Sequence, residues 1–183
     1  EEVSVTVTNE VKDGWEKYGG FFREQFLGMT INSSQCTIEN PETLRFFYSK
    51  KKNRLKVTAR EDLRVSNKAL GYSIRYQLDS FVHEYASGNT QYTGFPFFEE
   101  MIGSTEEKEN WNTNREKAYY GSLLHFMRCY YDSTIGENGY KLEKVDAGNN
   151  KSKLINNPYD SVFYQVTATR DVDLNFSGKL RVV

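Results

Sequence analysis

Two histidines and two cysteines are the side chains in this sequence best suited to nucleophilic or metal chemistry. His125 and Cys129 lie four residues apart on a predicted helix, a spacing that fits a base with its nucleophile or a pair of metal ligands. No acidic residue at a suitable spacing accompanies them, and His83 and Cys36 fall on other predicted elements. We therefore predict buried core residues at these positions, with no catalytic residue and no metal site.

The two cysteines are too few for a disulfide framework. Both Cys36 and Cys129 lie in apolar surroundings, which favours free, buried thiols. A Cys36–Cys129 bridge is the alternative that the sequence leaves open.

Other catalytic patterns are incomplete. Glu99 and Glu100 could supply a carboxylate for glycoside hydrolysis, but adjacent residues of a strand point to opposite faces and cannot form the acid pair together. Ser122 follows Gly121, yet the surrounding residues do not complete the G-x-S-x-G elbow of serine hydrolases. The sequence contains neither a P-loop nor G-x-G-x-x-G, so no nucleotide cofactor is expected.

The charge balance is almost neutral. The chain of 183 residues has 24 basic and 25 acidic residues and a net charge of −1. This balance argues against nucleic-acid or anionic-membrane binding as a global property. No apolar run approaches the length of about 18 residues that a transmembrane helix needs, so no transmembrane segment is predicted.

A long hairpin is the clearest structural signal. Apolar and polar residues alternate strictly over 72–79, as in a half-buried strand, and the apolar register then shifts, which predicts a bulge near Ser80. Residues 86–89 form a predicted turn, and 90–98 return as the antiparallel partner. Pro96 cannot donate a ladder hydrogen bond and should lie at a strand end or on an edge.

An aromatic-rich helical region is predicted over 105–132, with Ser104 or Thr105 as its N-cap. A continuous helical projection gives it a broad apolar face, so its C-terminal half is expected to be a central core element. Gly121 and Ser122 predict either a kink or a break in which Ser122 caps a second helix. Another helix is predicted over 14–27.

These elements predict one α+β domain over residues 1–183. A curved antiparallel sheet packs on the central helical region of 105–132, with the helix of 14–27 as a second layer. Residues 1–8 are expected to be an extended leader or a strand of a preceding domain. The last predicted strand, 174–183, stops without a turn signal, so we expect it at a sheet edge and the chain to continue beyond 183.

Arg115 falls in the middle of the projected apolar face, where a charged side chain requires a partner. We predict a bidentate contact with Asp79, Glu99 or Glu100 that clamps the helix to the hairpin, and a cost of about 3–5 kcal/mol for Arg115→Met. The functional alternative is a site for an anionic ligand. The candidate cluster for binding or structure comprises Arg115, Tyr119, Ser122, His125 and Arg128.

A set of residues spread over most of the chain carries a family resemblance. They are Phe26-Leu27-Gly28, 36–40, 67–72, Ile74, Tyr76, Leu78, Phe81, Tyr92, Gly94, Phe98, Trp111, Arg115, 118–122, His125-Phe126 and Arg128. In order and spacing, these residues resemble the bacterial cell-envelope proteins called "carboxypeptidase-like regulatory domain-containing", in the region that follows their N-terminal β-sandwich. The resemblance implies such a sandwich domain in the full-length protein and export to the periplasm or outer membrane of a Gram-negative cell. It transfers no catalytic residue.

We therefore expect a non-catalytic interaction or structural module of an exported envelope protein, with an envelope protein or a glycan as its partner. The alternative is an envelope hydrolase or a carbohydrate-binding module that acts on glycan or peptide. Rings outside the predicted core could stack on sugars, and Tyr120, Tyr131, Phe97 and Tyr159 are the candidates.

Overall fold

The computed structural model describes residues 9–146, 148–149 and 151–183. They divide between Arg115 and Glu116 into two compact units: unit 1 contains the described residues up to Arg115, and unit 2 contains those from Glu116 to Val183. Both units contain helices and antiparallel strands, which confirms the α+β class. The predicted leader, 1–8, lies outside the described residues.

Unit 1 consists of a six-stranded antiparallel sheet with helices. The predicted helix over 14–27 and the predicted hairpin are both present. The elements are α1 (Gly14–Leu27), α2 (Ile31–Ser34), β1 (Cys36–Ile38), β2 (Leu44–Ser49), β3 (Arg54–Ala59), β4 (Leu63–Asn67), β5 (Tyr72–Glu84) and β6 (Asn89–Glu100).

The six strands form four lines across the sheet. One edge of β5 pairs first with β4 and then with β3, while β6 follows β5 along its other edge. In turn, β1 pairs with β4 and β2 pairs with β3. The chain thus forms a meander. Its first line consists of β1 and β2 and its second line of β3 and β4, and such breaks are expected in a sheet that bends.

The breaks in neighbouring lines are joined by the fully buried side chain of Asn40. Its Nδ2 donates to the Asp62 carbonyl at 3.0 Å, and its Oδ1 accepts from the Arg64 amide at 2.8 Å. The Thr43 hydroxyl donates to the Asn40 carbonyl at 3.0 Å. These bonds satisfy backbone groups that lose their ladder partners where the strands bend.

The bend continues into the hairpin as the predicted bulge. The pairing of β5 with β6 shifts between Leu78 and Ser80, which confirms the bulge near Ser80. Gly94 lies opposite, where an added Cβ would come within 2.2 Å of the Gln77 carbonyl oxygen. The close approach of the two backbones therefore requires glycine at this position.

One face of the sheet packs on α1. Phe22 is fully buried and meets Phe81 at a ring-centroid distance of 5.0 Å, and Trp15 and Tyr18 pack near Phe46. The sequence had assigned this central role to the region 105–132. The helix on the sheet is instead α1, because the apolar residues of 14–27 face the core positions of β2, β3 and β5.

The helical region of 105–132 consists of two helices, α3 (Thr105–Tyr119) and α4 (Leu123–Tyr131). The Ser104 hydroxyl accepts from the Glu107 amide and the Glu107 carboxylate accepts from the Ser104 amide, so Ser104 is the N-cap in a capping box. Gly121 has a φ of +81° and Ser122 caps α4. The break confirms the second of the two predicted alternatives.

The continuous apolar face predicted for this region is wrong. No residue of α3 is buried. A projection that runs through Gly121 places residues of two separate helices on one face, so the phase of α4 is independent of that of α3.

Unit 2 contains α4 and two small sheets around a core of Phe126, Cys129, Tyr130, Ile135 and Leu142. Its strands are β7 (Leu142–Val145), β8 (Ser152–Leu154), β9 (Tyr164–Val166), β10 (Val172–Leu174) and β11 (Lys179–Val182). They pair in the orders β11-β7-β8 and β10-β9. The position of β11 at a sheet edge confirms that prediction for the last strand.

One assignment in unit 2 was wrong in detail. The predicted strand over 174–183 is divided, since Leu174 ends β10 and residues 179–182 form β11. Strand β8 pairs with β7 in a hairpin, which the backbone hydrogen bond from the Asp146 amide to the Lys151 carbonyl closes.

Asn40→Ala should destabilise the protein by about 2–3 kcal/mol, because it leaves the Asp62 carbonyl and the Arg64 amide without partners at the bend. Urea unfolding followed by circular dichroism measures this change. Asn89→Ala is the matched control, since Asn89 is exposed, and its free energy of unfolding should change by less than about 0.5 kcal/mol. Equal effects of the two variants would contradict the role of Asn40.

The buried Tyr130 should make the stability of the protein fall at alkaline pH. Burial raises its pKa to about 12, and the protonated hydroxyl donates to the carbonyls of Pro158 and Phe163. Because the folded pKa exceeds the unfolded value of about 10, the stabilisation is complete below pH 10 and is lost as the pH rises through 12.

We expect Tyr130→Phe to reduce the dependence of stability on pH above 10, measured by denaturant unfolding at successive pH values. The neighbouring exposed Tyr131 offers a control, and Tyr131→Phe should retain the wild-type dependence. An unchanged alkaline profile in Tyr130→Phe would contradict the prediction.

Candidate functional site

Strand β6 exposes apolar side chains on both faces of the unit 1 sheet. Phe95 is 69 % exposed and Phe97 53 %, while Phe98 and Tyr92, which point the other way, are 56 % and 44 % exposed. Large exposed apolar surfaces on a strand usually mark an interaction site. The two faces and the outer edge of β6 are therefore candidate contact surfaces.

On the face opposite α1, Phe95 and Phe97 lie side by side at alternate positions of β6. Their cross-strand neighbours on β5 are Gln77 and Arg75. The Arg75 guanidinium lies over the Phe97 ring at 4.6 Å from its centroid, a cation–π contact that orders both side chains. The result is a strip of two rings with an arginine beside them.

Charges of both signs border this strip. Arg64 is the cross-strand neighbour of Arg75 on β4, and neither arginine forms an ion pair within the described part of the chain. Glu99 follows Phe97 by two residues on the same face. A partner surface would therefore meet an apolar centre with a mixed, polar rim.

On the face that packs on α1, β6 is only partly covered. A helix of 14 residues is about 21 Å long, whereas the 13 residues of β5 extend about 43 Å. Tyr92 reaches the Phe26 ring of α1 at 5.3 Å, whereas the Phe98 ring packs on Tyr72 of β5 at 5.7 Å and stays exposed. The short helix thus leaves the Phe98 end of the hairpin open.

The outer edge of β6 is interrupted by Pro96, as the sequence predicted for an edge strand. The Met101 amide donates to the Gly71 carbonyl, so by alternation Phe95 and Phe97 direct their amides toward β5 and Pro96 faces outward. Proline lacks an amide hydrogen. It therefore prevents a continuous ladder with an added strand.

Four of the five residues in the predicted cluster come together in unit 2, around His125. Its Nδ1 lies 2.8 Å from the Tyr140 hydroxyl and accepts from the Gly121 amide at 3.3 Å. The rings of Tyr119 and Tyr120 lie 4.9 and 5.1 Å from the imidazole. Since an amide can only donate, Nδ1 accepts in the contact with Gly121, and the imidazole is packed among aromatic rings.

Ser122 and Arg128 complete this arrangement. The Ser122 hydroxyl accepts from the His125 amide at 3.1 Å as the N-cap of α4. Arg128 lies over the Tyr119 ring at 5.4 Å and donates to its hydroxyl at 3.3 Å. These contacts give both residues a structural part in unit 2.

Arg115 makes its contacts in unit 1. Its Nη1 donates to Glu100 at 2.6 Å, its Nε donates to the Leu70 carbonyl at 2.8 Å, and its guanidinium lies over the Tyr72 ring at 4.0 Å. The predicted partner Glu100 and the clamp on the hairpin are present. The bidentate geometry is wrong, because Nε is used by the backbone of the turn before β5.

The remaining candidates for chemistry are core residues. Burial raises the pKa of the Cys36 thiol, and both cysteines are free and buried, as predicted. His83 is buried and its Nδ1 lies 2.8 Å from the Thr90 hydroxyl. Within the described ranges, no three His, Cys, Asp or Glu side chains are grouped so that they could hold a metal ion.

Three of the four rings proposed for sugar stacking, Phe97, Tyr120 and Tyr131, are exposed. Tyr159 is half-buried, because its hydroxyl accepts from the Ile135 amide at 2.9 Å and its ring packs on Tyr130. Sequence reasoning missed Phe95 and Phe98. The run of three phenylalanines around Pro96 was the available signal, since alternation places apolar residues of such a run on both faces.

The comparisons with known proteins found no significant match among protein-family models, curated proteins or solved structures. None of the helices in the described part of the chain has the length and apolarity that crossing a membrane requires.

The sequence predicted a cost of about 3–5 kcal/mol for Arg115→Met on the basis of full burial. The Arg115 side chain is 22 % exposed and that of Glu100 is 68 % exposed, so solvent screens the ion pair. We now expect a loss of about 1–2 kcal/mol, mainly from the unpaired Leu70 carbonyl and the lost contact with Tyr72.

Chemical unfolding of Arg115→Met and of Glu100→Gln distinguishes the contribution of the ion pair from that of the other Arg115 contacts. Glu100→Gln should cost less than about 0.5 kcal/mol, because it removes only the screened pair. A larger loss in Glu100→Gln than in Arg115→Met would show that the ion pair dominates.

Proposed function

We propose that this chain is a non-catalytic interaction module of an exported cell-envelope protein, and that β6 is its contact strand. The observation that carries the proposal is the exposure of Phe95, Phe97 and Phe98 on two faces of one edge strand. Leaving these rings in water costs free energy that a partner protein recovers by covering them.

The composition of this strand supports a protein partner. Aromatic residues and arginine are enriched at the centres of protein interfaces, and the rim of such interfaces is polar. The Phe95–Phe97 pair with Arg75 supplies the centre, and Arg64 and Glu99 supply the rim. The contact between Arg75 and Phe97 holds two side chains in place before binding, which lowers the entropic cost of association.

The edge of β6 favours one mode of contact over another. A partner that extends the sheet needs an unbroken row of outward amides, and Pro96 removes one of them. A partner that packs on the faces needs exposed side chains instead. We therefore propose face-to-face packing with an apolar partner surface.

The histidines support a non-catalytic role. The Nδ1 of His83 and that of His125 each lie within 2.8 Å of a hydroxyl group, and both residues are buried. Neither lies with a nucleophile in an open cleft, the arrangement that a hydrolase would need. The envelope location rests on the family resemblance, and a fractionation in which the full-length native protein stays in the cytoplasm would contradict it.

Photo-crosslinking at β6 tests the contact. A benzoylphenylalanine introduced at position 97 of the full-length protein in its own cells should yield a specific adduct with one envelope protein after irradiation. The adduct should weaken at least about tenfold when Phe95 and Phe98 are replaced by serine, because each buried ring contributes roughly 2 kcal/mol to such an interface.

Lys108 is the matched position for the control, since it is exposed on α3. Benzoylphenylalanine at position 108 should not capture the same protein. If positions 97 and 108 give identical adducts, or neither gives one, β6 is not the contact strand.

A further inference from the structure

A second surface of unit 1 concentrates positive charge at one end of the sheet. Residues 50–56 contain Lys50, Lys51, Lys52, Arg54 and Lys56, and no acidic residue. The chain as a whole has a net charge of −1, so this segment is opposite in sign to the remainder of the molecule. We call it the basic hairpin, because it forms the β2–β3 turn and the start of β3.

Hydrogen bonds hold the turn of the basic hairpin in one conformation. The Asn53 amide donates to the Lys50 carbonyl, the Lys52 amide to the Ser49 hydroxyl, and the Tyr48 hydroxyl to the Asn53 side chain. The Tyr85 amide ties the same turn to β5 through the Asn53 carbonyl at 3.1 Å. The lysines therefore project from an ordered support.

A recess of about 340 Å³ opens beside the basic hairpin, on the sheet face opposite α1. The Phe47 ring forms an apolar wall, and polar groups surround it. The lining residues are Asn9, Phe47, Ser49, Arg54, Lys56 and Thr58.

Internal carboxylates neutralise little of this charge. Arg54 lies 3.6 Å from Glu84, but both side chains are more than a third exposed, so this pair is weak. The nearby Glu10 is already bound by Arg45. Lys56 and the three lysines of the turn form no ion pair within the described residues.

We propose that the recess and the basic hairpin bind an anionic polysaccharide. One sugar enters the recess, where Ser49, Thr58 and Asn9 offer hydrogen bonds and Phe47 offers an apolar wall. Its carboxylate or other acidic group faces Arg54 and Lys56. The lysines of the turn attract the neighbouring anionic groups of the same chain.

The recess favours a polysaccharide over an anionic membrane. A membrane surface would meet the lysines of the turn, but residues 50–53 include no apolar side chain that could enter a bilayer, and Leu55 is fully buried. A flat surface would also leave the recess unused. This site lies apart from β6, so the inference does not depend on the proposed protein partner.

Calorimetric titration of the protein with a polygalacturonate oligosaccharide tests the proposal, with a dextran oligosaccharide of equal length as the uncharged probe. We expect binding of polygalacturonate only, with an affinity that falls as salt is added. Arg54→Gln with Lys56→Gln should weaken binding about 10- to 30-fold, because each charge near an anionic surface contributes roughly one factor of five.

Two further variants distinguish binding in the recess from non-specific attraction by positive charge. Thr58→Trp fills the recess without changing the charge and should also abolish binding of polygalacturonate. Lys108→Gln with Lys117→Gln removes two charges from exposed positions of α3 and should leave the affinity unchanged. Circular dichroism of each variant verifies that the fold is retained.

The proposal is overturned if polygalacturonate does not bind at low salt, or if the Lys108 and Lys117 variant loses as much affinity as the Arg54 and Lys56 variant. Binding to phosphatidylglycerol vesicles tests the alternative of an anionic membrane surface. Vesicle binding that depends on Arg54 and Lys56 but persists in Thr58→Trp, with no polygalacturonate binding, would assign the basic hairpin to a membrane surface instead.

Discussion

The buried amide of Asn40 is the interaction on which the architecture of unit 1 depends. A sheet that bends must interrupt its ladders, and each interruption leaves backbone groups without a partner on the neighbouring strand. At the interruption, the Asn40 side chain donates to the Asp62 carbonyl and accepts from the Arg64 amide. The bulge beside Ser80 lets β5 follow the same bend without a break. One helix, α1, packs on one face of this sheet and buries its core positions.

The dimensions of that helix explain why β6 is exposed. α1 covers about half the length of the hairpin, so residues near Phe98 extend beyond it, while Phe95 and Phe97 lie on the opposite face and are exposed. Pro96 limits the risk of such a strand, because it blocks edge-to-edge pairing. The proposed face-to-face packing requires exposed faces and an edge that does not pair, and β6 has both.

The two proposed surfaces of unit 1 differ in their chemistry and position. The β6 strip is aromatic with a mixed rim, whereas the basic hairpin is polar and concentrates one sign of charge. A nearly neutral chain can therefore carry a strongly basic local surface, which the net charge conceals. Both surfaces lie on strands of the same six-stranded sheet, and this sheet is a rigid support that holds them in position.

The sequence by itself determined the features that depend on neighbouring residues along the chain. The alternation over 72–79 and the bulge near Ser80 follow from local chemistry, and the structure contains both. For the cap at Ser104, the cap at Ser122 and the edge position of Pro96, local chemistry left two alternatives each, and the structure contains one of each pair. Arg115 was also recognised as a clamp with Glu100 among its possible partners, because a charge among apolar residues requires compensation.

Only the tertiary structure decided which apolar surfaces are covered. Periodicity shows that two faces differ, but it does not show which face a helix covers or how far that helix reaches. Phe95 and Phe97 are exposed because α1 packs on the other face, and Phe98 is exposed because α1 is short. The predicted face of 105–132 failed for a related reason, since one residue with positive φ, Gly121, makes the phase of α4 independent of α3. The Asn40 bonds span more than 20 residues of sequence, and no local pattern announces them, because their partners are backbone groups that every residue carries.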